Sequence, residues 1–335
     1  MQHYPEKGVR LFEVLPQKWV WAEAAVPFIV LCLLFGVFAI GVPNYLSVVN
    51  LQQLMRDFAE PGLVAIAMAV VILAGGIDLS VGATFALANF AALYFFRIHG
   101  LPLELAVLGT LTVGLLIGAI NGVLVAYINA QAFLTTLAML LILRASYDLM
   151  TNAYILEIAS AMLTSTTWDF LGVGALLGVP VNMAALVAVG VLTHIFLTRT
   201  RPGLHLMAVG ANRKAARHAG VDVQRTLFLA YTLSGLIAAL AGLFYAARQN
   251  SAGSDAGQGW ELTALTAVIV GGISLTGGRG TIARAIIGAA ILFILSSGLL
   301  RMNIPGDLNS ALTGLILLLA VALNLQWIKN KVKTV

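Results

Sequence analysis

The sharpest candidate for chemistry is a single acid in an apolar setting. Asp78 sits in Gly75-Gly76-Ile77-Asp78-Leu79-Ser80-Val81-Gly82, after Val70, Val71 and Ile72 and before another apolar stretch. An ionised carboxylate is costly in hydrocarbon even on lenient insertion scales, so such a residue faces a path or organises one. A second role is local. Asp78 and Ser80 can satisfy free backbone N–H groups where the next helix begins. The pattern recurs as Gly271-Gly272-Ile273-Ser274-Leu275-Thr276-Gly277-Gly278, after Val268, Ile269 and Val270. Ser274 can still cap but lacks the charge, which favours capping over substrate chemistry. Transporters break hydrophobic segments with glycine where irregular backbone lines a cavity. Two such breaks on one membrane side point to a transport path.

Other polar side chains within apolar runs are Asn89, Asn121, Thr135 and Thr136. They either line the path or bond across helices. Gly114 with Gly118, and Gly235, Ala239 and Gly242, form small-residue faces suited to close packing within the chain or to a dimer contact. A third feature is basic: Asn212 can cap a helix Arg213-Lys214-Ala215-Ala216-Arg217-His218-Ala219, and Gly220 suits its C′ position. Pro202-Gly203 marks a turn before it. This helix is either a docking element for a partner or an ordinary basic loop near anionic lipid.

Enzyme signatures are missing. No Gly-x-x-x-x-Gly-Lys-Ser/Thr phosphate loop is present. His3, His99, His194, His205 and His218 are dispersed, and Cys32 is the lone cysteine, expected as a buried thiol. No pair of intramembrane carboxylates suggests a proton relay. No catalytic group, cofactor site or metal site is expected, and any ATP is bound by partners.

These residues are positioned by membrane helices. Hydrophobic residues make up 60% of the 335-residue chain and charged residues 10%, with mean hydropathy +0.96. A soluble domain carries about 25% charge. Crossing the hydrocarbon takes roughly 20 apolar residues. The expected fold is an all-α membrane protein, a polytopic bundle of about ten transmembrane helices with broken, glycine-rich hairpins. The expected spans are 24–42, 58–76, 81–97, 104–127, 131–150, 180–198, 226–247, 261–275, 282–300 and 308–327. The expected parts are an N-terminal segment 1–23, one membrane domain 24–327 with a loop at 199–225, and a basic tail 328–335. Segment 151–179 is expected to hold short helices lying at the surface.

Placing both termini in the cytoplasm puts 14 of the 19 Lys and Arg inside, as the positive-inside rule requires. Arg56, Arg97, Arg144, Arg248 and Arg301 fall outside or within spans. The net charge of +5 is therefore a topological bias and not a nucleic-acid footprint.

Five ordered motifs also carry a resemblance. Gly75 through Gly82, Phe133-Leu134-Thr135-Thr136-Leu137-Ala138 through Ala145, Val209-Gly210-Ala211-Asn212 through Gly220, Tyr231 through Gly242, and Gly271 through Gly280 resemble permease subunits of ribose-type monosaccharide ABC importers. The resemblance covers about residues 45–325; Thr276 stands at a more usual Met-type position, and the first 25 residues match nothing in the pattern. It implies a bacterial inner-membrane pore of two permeases, identical or related. Cytoplasmic ATP-binding subunits would dock beneath it, and a periplasmic binding protein would deliver a sugar or sugar-like solute. The loop Val209, Gly210, Ala211, Asn212, Arg213, Lys214, Ala215, Ala216, Arg217, His218, Ala219, Gly220 resembles the coupling element. A nucleoside, polyol or furanose remains open as substrate, and an ion-coupled transporter is the rival class.

Overall fold

Short polar residues punctuate the apolar runs and set where helices start. Ser47 accepts from the Asn50 N–H and opens α2 (Val48–Leu73). Thr200, Asn212, Asp222 and Thr281 cap α8 (Arg201–Ala211), α9 (Arg213–His218), α10 (Val223–Gln249) and α12 (Ile282–Arg301) in the same way. The remaining helices are α1 (Gln17–Gly41), α3 (Val81–Leu93), α4 (Leu103–Ala126), α5 (Ala132–Ser160), α6 (Thr166–Val173), α7 (Val181–Arg199) and α11 (Trp260–Val270). A π-helical turn, Tyr94–Ile98, extends α3. This computed structural model describes residues 17–160, 165–253 and 255–304, with 308, 311, 312, 314–316 and 318.

Helix α10 is the axis of the bundle and packs on α4, α3 and α2. The small-residue faces explain why. A Cβ on Gly114 would strike the Gly235 carbonyl and Ala239, and one on Gly118 would strike the Tyr231 carbonyl and lie 3.0 Å from the Thr232 Cα. The two stripes thus face each other within the chain. Overpacking a core typically costs about 1–3 kcal/mol even where side chains can move, and here the obstacle is backbone. Gly118→Leu should therefore lower the melting temperature in detergent and cut the monodisperse yield severalfold. Gly36→Leu, where an added Cβ meets nothing within 4 Å, should do neither. Equal thermal behaviour of the two variants would contradict the packing account.

Each expected span before residue 308 overlaps a helix, but 261–275 runs five residues past the end of α11 at Val270 and 58–76 runs three past the end of α2 at Leu73. Among the described residues six helices are long and apolar enough to cross a membrane: Val81–Ile98, Leu103–Ala126, Ala132–Ile158, Val181–Arg199, Val223–Gln249 and Ile282–Arg301. The α2 helix is long but carries Arg56, Asp57 and Glu60, while Ala25–Gly41 and α11 are shorter apolar helices. The expected segments 1–23 and 308–327 lie partly, and the tail 328–335 wholly, outside the described residues. Outer faces present Leu33, Leu116, Leu141, Leu149 and Leu192, all exposed, as a lipid-facing surface needs.

Several local expectations are corrected. Cys32 is exposed, on the outer face of α1. Pro202 and Gly203 lie in the first turn of α8, where Thr200 Oγ1 accepts from the Gly203 N–H at 3.2 Å; proline is tolerated at that position because its missing N–H has no helical acceptor. The segment after 150 does hold short helical pieces: the path of α5 kinks at Tyr154 (φ −114°, ψ 15°) before running on to Ser160, and α6 is short and mostly exposed, though anchored by one side chain. Trp168 is fully buried, stacks on Phe96 at 4.4 Å and donates to Asn250 Oδ1 at 2.8 Å. Two two-residue strands, β1 (Ala175–Leu176) and β2 (Val179–Pro180), pair antiparallel beside it, the one departure from an all-helical fold among the described residues.

Between Asn250 and Trp260, where the chain returns from α10 to α11, the described residues form non-helical turns closed by short-range bonds, such as Ala256 N–H to the Gly253 carbonyl at 3.0 Å, with Ala252, Ala256 and Gly257 buried. Donors also reach it from α3, its π-helical extension and α5. Arg97 donates to the Asn250 carbonyl at 2.8 Å, Asn89 to Ser251 at 3.5 Å, Tyr147 to Gly253 at 2.7 Å and Arg144 to Ala256 at 2.6 Å. Gly257 reaches the start of α3, where its added Cβ would lie 2.6 Å from the Gly82 carbonyl. This return explains the shortness of α11.

Candidate functional site

The break between α2 and α3 is a knot of hydrogen bonds centred on Asp78, which is 2% exposed. Its Oδ1 accepts from the Ser80 N–H at 3.0 Å and the Ser80 hydroxyl at 2.6 Å, and its Oδ2 accepts from the Ser234 hydroxyl of α10 at 2.9 Å. Asn121 of α4 donates to Ser80 Oγ at 2.8 Å. Thr136 of α5 accepts from the Leu79 N–H at 3.1 Å, and Tyr231 of α10 donates to the Ile77 carbonyl at 3.2 Å. Three helices thus reach into one turn. Among the described residues no Lys or Arg forms an ion pair with Asp78; neutral donors alone meet the carboxylate. The local role is therefore an Asx-type turn: Asp78 serves the Ser80 N–H, whereas the Ser80 side chain makes no cap bond and gives its proton to Asp78 instead.

Four of the sequence-derived candidates, Asp78, Ser80, Asn121 and Thr136, converge in this knot. Three do not. Asn89 is buried further along α3 and holds the returning segment. Thr135 is half-buried on the neighbouring face of α5. Ser274 lies half-buried in the second glycine turn, its hydroxyl 2.8 Å from that of Thr276.

The basic helix has the expected ends. Asn212 Oδ1 accepts from the Ala215 N–H at 3.0 Å, and Gly220 follows the helix with φ +82°. Only Ala216 is buried in α9; Arg213, Lys214, Arg217 and His218 are exposed. Arg213 reaches back and donates to the Gly75 carbonyl at 2.8 Å. The preceding α8 ends on the two glycine turns, which touch each other: the Gly278 N–H donates to the Leu73 carbonyl at 2.9 Å. A cavity of about 410 Å³ adjoins this meeting point, lined by Gly75, Ile77, Asn129, Gln131, Arg213 and Leu275 among others. Spacing alone did not reveal that the basic loop and both glycine runs form one structure.

Two further features escaped the sequence. Glu60, fully buried, pairs with Arg248 at 3.1 Å and accepts from Asn182 at 3.1 Å, while Asp57 meets the same guanidinium at 2.7 Å. Asp78 is thus not the sole buried acid; Glu60 and Asp57 share the Arg248 cation rather than a proton. The tyrosine and serine of Tyr231-Thr232-Leu233-Ser234, quoted above only as a motif, turn out to be partners of the Asp78 turn.

Residues 50–321 match the family described as branched-chain amino acid transport system / permease component. The chain is 38% identical over 315 residues to the fructose import permease protein FrcC of Rhizobium meliloti, covering 92% of this chain and 87% of that one. It is 35% identical over 301 residues to the ribose import permease protein RbsC of Escherichia coli K12, covering 90% and 93%. The ribose import permease protein RbsC of Bacillus subtilis strain 168 is 35% identical over 298 residues, covering 89% and 91%. No solved structure matches the chain. An apolar helical bundle whose family match runs through both glycine turns and the basic loop belongs, therefore, to this family of transport permeases of the bacterial inner membrane.

Proposed function

We propose that the chain is the membrane-spanning subunit of an ATP-binding-cassette importer that carries a sugar or sugar-like solute into the cytoplasm by alternating access. The observation that carries this reading is identity of 35–38% along nearly the whole length to ribose and fructose import permeases. About ten spans, cytoplasmic termini, a pore of two permeases, ATP-binding subunits below and a periplasmic binding protein above belong to the same proposal. The rival of an ion-coupled transporter draws no support from these relatives. In this reading the knot around Asp78, Ser80, Asn121 and Thr136 organises the path by holding the broken hairpin, and Asn89, Thr135 and Ser274 are candidates along it. The exposed helix α9 is the surface on which the ATPase docks.

The test is reconstitution of the permease with candidate ATPase and binding-protein subunits, followed by ATP-dependent uptake of labelled ribose and fructose. Lys214 and Arg217 are three apart and share one helical face, and Arg213 is left out because it holds Gly75. Lys214→Glu with Arg217→Glu should cut uptake at least about tenfold and prevent co-purification of the ATPase, since a like-charge contact across an interface costs several kcal/mol. Membrane insertion should persist, because most inside charges remain. Uptake without ATP, driven by an ion gradient, would overturn the importer reading. Wild-type co-purification and uptake in the double variant would overturn the docking surface.

A further inference from the structure

The geometry points to a three-way backbone junction, formed by Gly75, Gly210 and Gly277-Gly278, that conveys displacement of the α8–α9 loop to both glycine turns at once; Gly210 is its positioning residue. This inference rests on the importer reading above. The three segments meet chiefly through backbone, with the Ala211 Cβ and the Arg213 side chain beside the glycines. A Cβ on Gly210 would strike the Leu73 carbonyl and lie 2.7 Å from the Gly278 nitrogen. A Cβ on Gly277 would lie 2.8 Å from the Gly75 Cα and 2.8 Å from the Gly210 carbonyl oxygen. Gly75, Gly277 and Gly278 hold φ of +78°, +86° and +67°, conformations that suit glycine. The bond from the Gly278 N–H to the Leu73 carbonyl ties turn to turn, and the bond from Arg213 to the Gly75 carbonyl ties α9 to the first turn.

The scarcity of side chains matters mechanically. A contact between side chains absorbs a small shift by changing rotamers. Backbone laid against backbone has no such slack, so the shift is passed on as displacement. Gly75 follows directly on α2, and Gly277 and Gly278 lie in the loop between α11 and α12, so moving α8 moves the end of α2 and that loop together. Gly75 and Arg213 belong to the wall of the adjoining cavity. Its opening is therefore the movement to read.

Gln131 is exposed and lines that cavity, so Gln131→Cys in a Cys32→Ser background provides a single label site there. The experiment uses the assembled complex in inside-out vesicles and measures the labelling rate of Cys at 131 with a membrane-impermeant maleimide, with and without ATP plus vanadate. The nucleotide should change the rate severalfold in this parent. In the assembled fraction of Gly210→Ala, the nucleotide effect on labelling should fall below half, and uptake per ATP hydrolysed should fall with it. Arg213→Gln, an exposed change that spares the glycines, should give a smaller loss in the same direction, partly restored by Arg213→Lys. A purely structural role would lower assembly, hydrolysis and labelling response in parallel. The junction is overturned if Gly210→Ala keeps the full nucleotide response. Should that variant fail to assemble, a full response in Arg213→Gln overturns it. A parent with no nucleotide response but intact ATP-free uptake would instead defeat the importer reading, and the junction with it.

Discussion

Asp78→Leu is expected to abolish transport and to destabilise the protein by about 3 kcal/mol or more, while Asp78→Asn remains folded. Leucine strands the Ser80 N–H, the Ser80 hydroxyl and the Ser234 hydroxyl. All three lie where water does not reach, and each buried donor left unpaired costs roughly 1–3 kcal/mol. Asparagine keeps one acceptor oxygen for the two Ser80 donors and turns an NH₂ toward Ser234, whose hydroxyl can rotate to accept. Its cost should be about 1 kcal/mol, the scale of one exchanged hydrogen bond. Thermal unfolding in detergent and ATP-driven uptake are the two measurements. Complete loss of uptake in both variants, with the stability of Asp78→Asn unchanged, would show that the charge acts on the solute or on gating and that the knot is more than a brace.

The second large effect is expected at Arg248. Its guanidinium holds the fully buried Glu60 through Nε at 3.1 Å and Asp57 through Nη1 at 2.7 Å. Removing one partner of a buried pair costs about 3–5 kcal/mol, whereas replacing both with apolar groups of similar size is often neutral. Arg248→Ala should therefore cost several times more than the combined change Glu60→Leu with Arg248→Met. A double-mutant cycle read by chemical unfolding isolates the coupling. Additive losses would mean that Glu60 is stable without its cation and that Asn182 suffices.

Much of this architecture was legible because it is local. Asn212 and Gly220 bracket α9 by short-range chemistry, and the Gly114–Gly118 and Gly235–Ala239 faces have helical spacing. The glycine runs announce broken helices because nothing else explains such residues beside β-branched clusters. What escaped is non-local. Glu60 and Arg248 lie 188 positions apart, and each alone reads as a charge near a span end. The stretch from Asn250 to Trp260, rich in serine and glycine, reads as a surface loop, since composition does not reveal donors contributed by α3 and α5. Trp168 likewise signals a buried anchor only once Phe96 and Asn250 are beside it. The meeting of the basic loop with the glycine turns was hidden for the same reason: contact through backbone leaves no complementary side chains to notice.

The returning segment also bears on biosynthesis. Asn89, Arg97, Arg144 and Tyr147 precede the carbonyls they serve, so a chain made from its N-terminus has every donor in the membrane before the first acceptor emerges. Helix α11, at 11 residues, spans roughly 16 Å at 1.5 Å per residue, about half the hydrocarbon, and cannot anchor itself as a span. It settles only against a template already made. A chain divided between α5 and α10 would separate the returning segment from its Asn89, Arg97, Arg144 and Tyr147 donors, so the two pieces should be needed together for that segment to settle.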